Sequence, residues 1–408
     1  MPTVATLGAA FSANKGAAAM MQSLLDDLPG RVPGARVVVV STHPADDRMA
    51  YERAGIDVAV VSQQPVEMAL VQVPLALVAG LLRVLHLPFR WLLRPPALRA
   101  LSDADLVADL SGISFVDGRR FVVLVYNALV VWVPMLLGAR VVKCSQAMGP
   151  FATPVNSGLA RLTLPRLARV CPRGAVTEAH LRGLGLTNLT PAADMAFAMQ
   201  VPEAVRTGIG ARLAEVGPYV AVSPSQVVAT YCEGEGIDYA GLVAELVDRL
   251  AQEGHRVVML AHSAQQDRGA NHMNDLPLCR AVAGRVTRPD HLLLLDEDLL
   301  PTQLRAVIAG AEVLVTSRFH AMIAALAERV PPVVVGWSHK YAEVLEPFHL
   351  ASAAISYEEL TSVDVVLERT LAALRDRQSV AVAIGKALPA VQAQALVSFE
   401  VLAEELAR

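Results

Sequence analysis

Arg318, His320 and Lys340 sit within one stretch, "TSRFHAMIAALAERVPPVVVGWSHK", residues 316–340, in a chain of which only 18% is charged. The run "EVLVTS" has the length and β-branched content of a buried strand, "HAMIAALAER" of a helix, and "PPVVVGW" of the next strand. Ser317, Arg318 and Phe319 then occupy the loop at a strand's carboxyl end, with His320 at the helix start. His339 and Lys340 follow the second strand, at the same edge of a parallel sheet. A helix N-terminus favours an anion, and a guanidinium beside it clamps carboxylate or phosphate through two hydrogen bonds. An imidazole between them titrates near neutrality and serves either as acid or as base. The plainer alternative is an arginine paired with a surface acid and a histidine in a helix cap. Three such groups at both carboxyl ends of one βαβ unit favour the functional reading.

Such an edge must be built by alternating strands and helices, and the chain alternates from end to end. "TVATLGA", "ARVVVVS", "ADLVADLSG", "ARVVKCSQ" and "NLTPAADMAF" read as strands entering loops, with "GAAAMMQSLLDDL" a helix. A loop-like break over "QVPEAVRTGIGARLAEVGP" precedes a second series, "YVAVSPS", "RVVMLAHS", "HLLLLD", "EVLVTS" and "PPVVVGW". The expected fold class is α/β: two Rossmann-like domains with parallel sheets facing a cleft lined by strand carboxyl ends. The chain's 408 residues and 54% hydrophobic content suit two cores. The expected division is 1–205, 206–385, and a C-terminal helix at 386–408 packing back on the first domain.

A net charge of −4 excludes a broad nucleic-acid footprint, so any cationic site is local. Cys144, Cys171, Cys232 and Cys279 form no CxxC pair and fit reduced, buried thiols in a cytosolic protein. His272, Asp267 and Asp275 lack metal spacing, no metal is expected, and "DED" at 296–298 reads as a solvated loop. The N-terminus lacks a signal-peptide pattern. Residues 121–138 read as a buried core helix despite near-spanning length. Residues 68–95, with Arg83, Arg90 and Arg94 among leucines and Trp91 and with Arg99 just beyond, read either as a helix packed within the domain or as one lying on a membrane surface.

Further candidates lie along the chain. Arg173, in "CPRGAVT", follows an apolar strand; it is either an anion ligand or a solvated loop residue. Asn14, Lys15 and Gly16 occupy the first strand-to-helix turn, where Asn14 either faces the cleft or caps the helix. Asp109, Ser114 and Asp117 suit hydroxyl-rich ligands, though Asp117-Gly118 also suits a turn. Gln146, Asp194 and, at second rank, His262 and His339 lie at or after strand ends.

Together these motifs resemble the polysaccharide pyruvyl transferase family. Its Arg-x-His-x-x-x-x-Ala pattern, with a Lys about twenty residues after the His, matches "SRFHAMIAALAERVPPVVVGWSHK". In the family's order come "GAAFSANKGAAAM", "DLSGISFVD", "SQAMGPF", "PRGAVTEAHLRGLG", "DMAF" and "AVSPS". Ala17 stands where many members have Asp, and Thr177 replaces a Ser. The resemblance implies a fold similar to B-type glycosyltransferases. It also implies transfer of the enolpyruvyl group of phosphoenolpyruvate onto two sugar hydroxyls, giving a pyruvate ketal and phosphate, without a further cofactor. On that basis His320, Arg318 and Lys340 are the expected catalytic residues. Arg173, Arg318, Lys340 and Ser317 would bind phosphoenolpyruvate. Asn14, Lys15, Gly16, Asp109, Ser114, Asp117, Gln146 and Asp194 would bind the acceptor, on the side of the first domain. Expected partners are phosphoenolpyruvate and a sugar acceptor, lipid-linked or otherwise, with a cytoplasmic location that allows peripheral membrane contact. The competing readings are a nucleotide-sugar glycosyltransferase of the same architecture and a non-catalytic glycan-binding protein.

Overall fold

The computed structural model describes residues 1–264, 274–336 and 340–408. The chain forms two compact units. The first comprises residues 1–12, 17–198 and 392–408; the second comprises 13–16 and 199–391.

The first unit is built on β1 (Thr3–Leu7), β2 (Arg36–Ser41), β3 (Ala59–Ser62), β4 (Leu106–Asp109), β5 (Ile113–Val116), β6 (Val141–Gly149) and β7 (Arg169–Pro172). Every pairing is parallel, in the order β3-β2-β1-β4-β6-β5, with β7 also on β6. β6 is long enough to hold β4 and β7 with its first half and β5 with its second. Its register against β7 shifts between Lys143 and Gln146, where Ser145 takes a left-handed φ of 41°. Residues three apart normally point to opposite faces of a strand; the irregularity turns Lys143 and Gln146 into one pocket, 3.1 Å apart.

The second unit carries β8 (Tyr219–Ser223), β9 (Arg256–Leu260), β10 (Leu292–Leu295), β11 (Val313–Thr316), β12 (Pro332–Gly336) and β13 (Ala354–Ser356). All pair in parallel, in the order β10-β9-β8-β11-β12-β13. Val220, Val222, Val257 and Met259 pack on one face of this sheet, and Tyr219, Ala221, Val258 and Leu260 on the other. Continuous apolar strands are what a sheet covered on both faces requires. In both sheets the order reverses beside the first strand, between β1 and β4 and between β8 and β11. Ligands of doubly wound sheets bind beyond the strand carboxyl ends at this reversal.

Two stretches differ from expectation. "VPEAVRTGIGARL" is not loop: Glu203–Leu213 is a helix, because Ile209 and Leu213 find an apolar seat and Arg206 pairs with Glu328 at 2.9 Å. "NLTPAADMAF" forms only isolated bridges, Val170 to Leu189 and Arg173 to Ala192, before a 3-10 turn at Met195–Ala198. The helix Phe121–Leu137 buries Leu124, Ala128, Val131 and Leu137, and all four cysteines are buried thiols. The long helix Arg377–Ala407 begins in the second unit and ends in the first.

Candidate functional site

At the reversal of the second sheet, the turn after β11 is held from several sides. Thr316 Oγ1 donates to the Ser223 carbonyl at 3.0 Å and accepts from the Arg318 N–H at 3.0 Å. The Ser317 N–H reaches the same carbonyl at 3.1 Å, and the Tyr341 hydroxyl donates to the Ser317 carbonyl at 3.1 Å. Arg318 is thereby fixed in extended conformation as the residue preceding the helix Phe319–Ala327.

Arg318 is oriented by Asp275, a residue that the sequence reading considered only as a metal ligand. Its Nε donates to Asp275 Oδ2 at 2.7 Å and its Nη2 to Oδ1. The same carboxylate accepts the Gln226 N–H at 2.8 Å and the Ser263 N–H at 3.1 Å, tying together the loops after β8, β9 and β11. The acid is fully buried, whereas the arginine side chain keeps 16% of its exposure. Burial pushes the Asp275 carboxyl up from its ordinary range; the guanidinium and both N–H groups work against that rise.

His262 follows β9 and is buried. Burial, then the cationic neighbourhood of His320, Arg318 and Lys15, pushes its imidazole down to about 3, so it is neutral at physiological pH. Lys15, also buried, forms an ion pair with Asp298. Gly16 lies directly against the His320 ring, where a Cβ would collide with it, and the Gly16 N–H donates to Asn14 Oδ1 at 2.9 Å. The turn expected on the acceptor side thus belongs to the second unit, since a bare glycine lets the imidazole lie on it. The "DED" segment is a loop as expected, with Asp296 and Glu297 still 43% and 41% exposed in surface pairs with Arg280 and Arg212, but Asp298 is drawn in to pair with the buried Lys15.

His320 meets Phe319 edge-on at 5.2 Å, and Phe319 meets Tyr341 at 5.7 Å. Lys340 immediately precedes Tyr341, at the start of the short helix Lys340–Leu345, so the tyrosine brings its segment to the Ser317 turn. His339 lies outside the described residues, as do Asp267 and His272. The Ser317 hydroxyl is turned inward to the Tyr239 hydroxyl at 2.6 Å, and Ser317 is buried, so its side chain is not presented to a ligand as expected.

The first unit treats its polar residues differently. Asp109, at the end of β4, is fully buried against Lys143 at 2.5 Å and also accepts the Ser111 N–H at 3.0 Å. Lys143 Nζ donates further to Gln146 Oε1 at 3.1 Å and Ser114 Oγ at 3.3 Å. Ser114 Oγ donates to Gln146 Oε1 at 2.7 Å, and Gln146 Nε2 to the Asp109 carbonyl at 2.8 Å. Asp109, Ser114 and Gln146 therefore satisfy one another around a buried lysine rather than offering oxygens to a sugar. Burial would raise the Asp109 carboxyl, but the ammonium beside it holds it below the ordinary range. A charged residue inside a strand-like run, Lys143, was the signal available in the sequence. Asp117 ties down the turn that leads into the helix Pro154–Thr163, accepting the Ala152 N–H at 2.6 Å, the Thr153 hydroxyl at 2.7 Å and Asn156 Nδ2 at 3.0 Å. Burial opposes its ionisation, and these donors hold its carboxyl below the usual range. Arg173 Nη1 meets Asp194 Oδ2 at 2.5 Å, while Asp194 Oδ1 accepts the Ala196 N–H at 2.9 Å. Arg173 lies in the first unit, and Arg318 and Lys340 in the second.

The fold has counterparts among known structures. Similar solved structures include S. aureus MnaA in a co-structure with UDP (TM-score 0.59, 13% identity, covering 95% of this chain and 91% of that one). A Neisseria meningitidis UDP-GlcNAc 2-epimerase bound to UDP-GlcNAc aligns with TM-score 0.61 at 9% identity, over 99% and 100% of the two chains. Anabaena Alr3699/HepE, in complex with UDP and glucose, gives 0.53 at 12% identity over 100% of both. These likenesses show the fold, that of two Rossmann-like domains as in B-type glycosyltransferases. No curated protein matches the sequence. The family model described as "Polysaccharide pyruvyl transferase" matches residues 14–339, a span that takes in Lys15, Asp275, Arg318 and His320. The chain belongs to the polysaccharide pyruvyl transferase family.

Proposed function

We propose that the protein moves the enolpyruvyl group of phosphoenolpyruvate onto two hydroxyls of a sugar in a glycan or glycolipid, forming a pyruvate ketal and releasing phosphate. The observation that carries this reading is Arg318, locked by Asp275 at the start of the helix Phe319–Ala327, with His320 one turn-step on and Lys15 and Lys340 on neighbouring segments. A small ligand carrying both phosphate and carboxylate needs several fixed cations, and a buried carboxylate that orients one of them lowers the cost of holding it ready. His320 is the group for proton transfer, either to the methylene carbon of the donor or from an acceptor hydroxyl. Arg173, oriented by Asp194, is the candidate anion ligand within the first unit taken by itself.

The test is phosphate release from phosphoenolpyruvate against a panel of hexosides and glycolipid extracts, with mass detection of the ketal. Acceptor-dependent phosphate together with a ketal adduct supports the reading. Turnover of a nucleotide sugar, with no phosphate from any acceptor, overturns it in favour of glycosyl transfer. A His320→Gln variant should bind phosphoenolpyruvate and lose turnover; unchanged turnover removes His320 from the proton transfer.

A further inference from the structure

The segment Pro65–Val84 folds as one continuous helical run, with a π turn at Met68–Gln72. Its polarity is inverted. Met68, Gln72, Ala76 and Ala79 face inward, and Gln72, the one polar side chain of its middle, is buried in hydrogen bonds with Gln63 at 3.2 Å and Glu67 at 3.2 Å. Val66, Leu70, Leu77, Leu81, Val84 and Leu85 recur at three- and four-residue spacing along the outer face and are exposed, Leu70 to 72% and Val84 to 69%. A surface helix of a water-facing domain turns its polar stripe outward. An exposed apolar stripe of this length marks an interaction surface.

The charge around the stripe points to one occupant. Residues 68–102 contain Arg83, Arg90, Arg94 and Arg99 and no Asp or Glu, and all four arginines are exposed; Arg90 pairs with Asp103, just beyond, at 2.7 Å. Trp91, exposed, follows Arg90. The neighbouring helix Phe121–Leu137, which packs beside Gly80 through Leu136, exposes Phe121 and Val122 directly after Arg119 and Arg120. From Leu77 and Val84 the surface continues into a cavity of about 790 Å³ with an apolar wall of Trp132, Met135 and Leu136, edged by Arg83, Arg140 and Arg166. Glu405, the acid in that lining, is already engaged by Arg408 at 2.8 Å and Arg140 at 3.3 Å.

We infer that this face of the first unit docks on the surface of an anionic lipid bilayer. The apolar stripe enters the acyl boundary and the arginines meet anionic headgroups. A second copy of the chain is the weaker fit, because a two-fold contact would set these arginines against one another. The helix does not cross the bilayer in this arrangement, since its inner face is committed to the core.

The test uses the full chain and needs no substrate, so its outcome is separable from that of the phosphate assay. The protein should float with vesicles containing phosphatidylglycerol and not with phosphatidylcholine alone, less so in high salt. A Leu70→Glu, Leu77→Glu, Leu81→Glu variant should lose about tenfold in bound fraction while melting with the wild type, since all three side chains are exposed. Wild-type protein that ignores anionic vesicles, or a triple variant that floats equally well, overturns the inference. So does a wild-type dimer in light scattering that the triple variant splits, which would assign the stripe to a second copy.

Discussion

Each unit places an acid–cation pair at the carboxyl end of its fourth strand in topological order, and the two pairs are arranged in opposite senses. In the first, the acid Asp109 ends β4 and the cation Lys143 comes from the next strand; both are 1% exposed, and hydroxyl and amide groups close around them. In the second, the cation Arg318 follows β11 and the acid Asp275 lies behind it, fully buried, while the arginine keeps partial exposure. A buried pair whose remaining donors are absorbed by neighbours is a structural knot. A pair with the acid fully buried and the guanidinium partly exposed has the arrangement expected of an oriented anion ligand.

The contrast predicts where each pair breaks. Lys143→Met leaves Asp109 buried without its counter-ion and should cost about 3–5 kcal/mol in denaturant unfolding. Adding Asp109→Leu should recover most of that loss, because the second change removes the stranded charge. Arg318→Met alone would likewise strand the buried Asp275, so it is paired with Asp275→Asn; that double variant should keep most of the wild-type stability but lower phosphate release by about 10²–10³-fold, the usual effect of removing a fixed charge donor from a developing anion. A double variant with normal phosphate release would erase the distinction.

How far the sequence reveals this arrangement depends on whether the determinants are local. The Ser317–His320 turn is legible because strand, loop and helix follow one another within a dozen or so residues. Asp275 is not, for it meets Arg318 across 43 positions and only because β9, β8 and β11 stand side by side. Asp109, Ser114 and Gln146 invite a ligand-binding reading because polar residues at strand ends often bind ligands; the irregularity at Ser145 instead folds Lys143 onto them. Asn14, Lys15 and Gly16 follow the first strand in sequence but group with the second unit, a consequence of Lys15 reaching Asp298 and Gly16 seating His320. In the "DED" loop only Asp298 escapes the sequence reading, because its partner Lys15 lies at the far end of the chain.

Smaller effects sharpen the picture. His262 is held neutral down to about 3, while an unfolded histidine binds a proton near 6.5. Between those values the unfolded chain carries the extra proton, so stability rises with pH there and is lost progressively as pH falls from about 6.5 towards 3. His262→Asn should flatten that part of the stability–pH profile; an unchanged slope would assign it to other groups. Asp117→Ala removes the acceptor shared by the Ala152 N–H and the Thr153 and Asn156 side chains and should cost about 1 kcal/mol in unfolding, with phosphate release unaltered.

The central claim is that the second unit holds the donor anion through Arg318 with Asp275 behind it. Calorimetric titration of phosphoenolpyruvate into the intact protein and into an Arg318→Met, Asp275→Asn double variant, which leaves no stranded charge, tests it most directly. Saturable binding by the wild type and its loss in the folded double variant are expected. Equally tight binding by both proteins would contradict it.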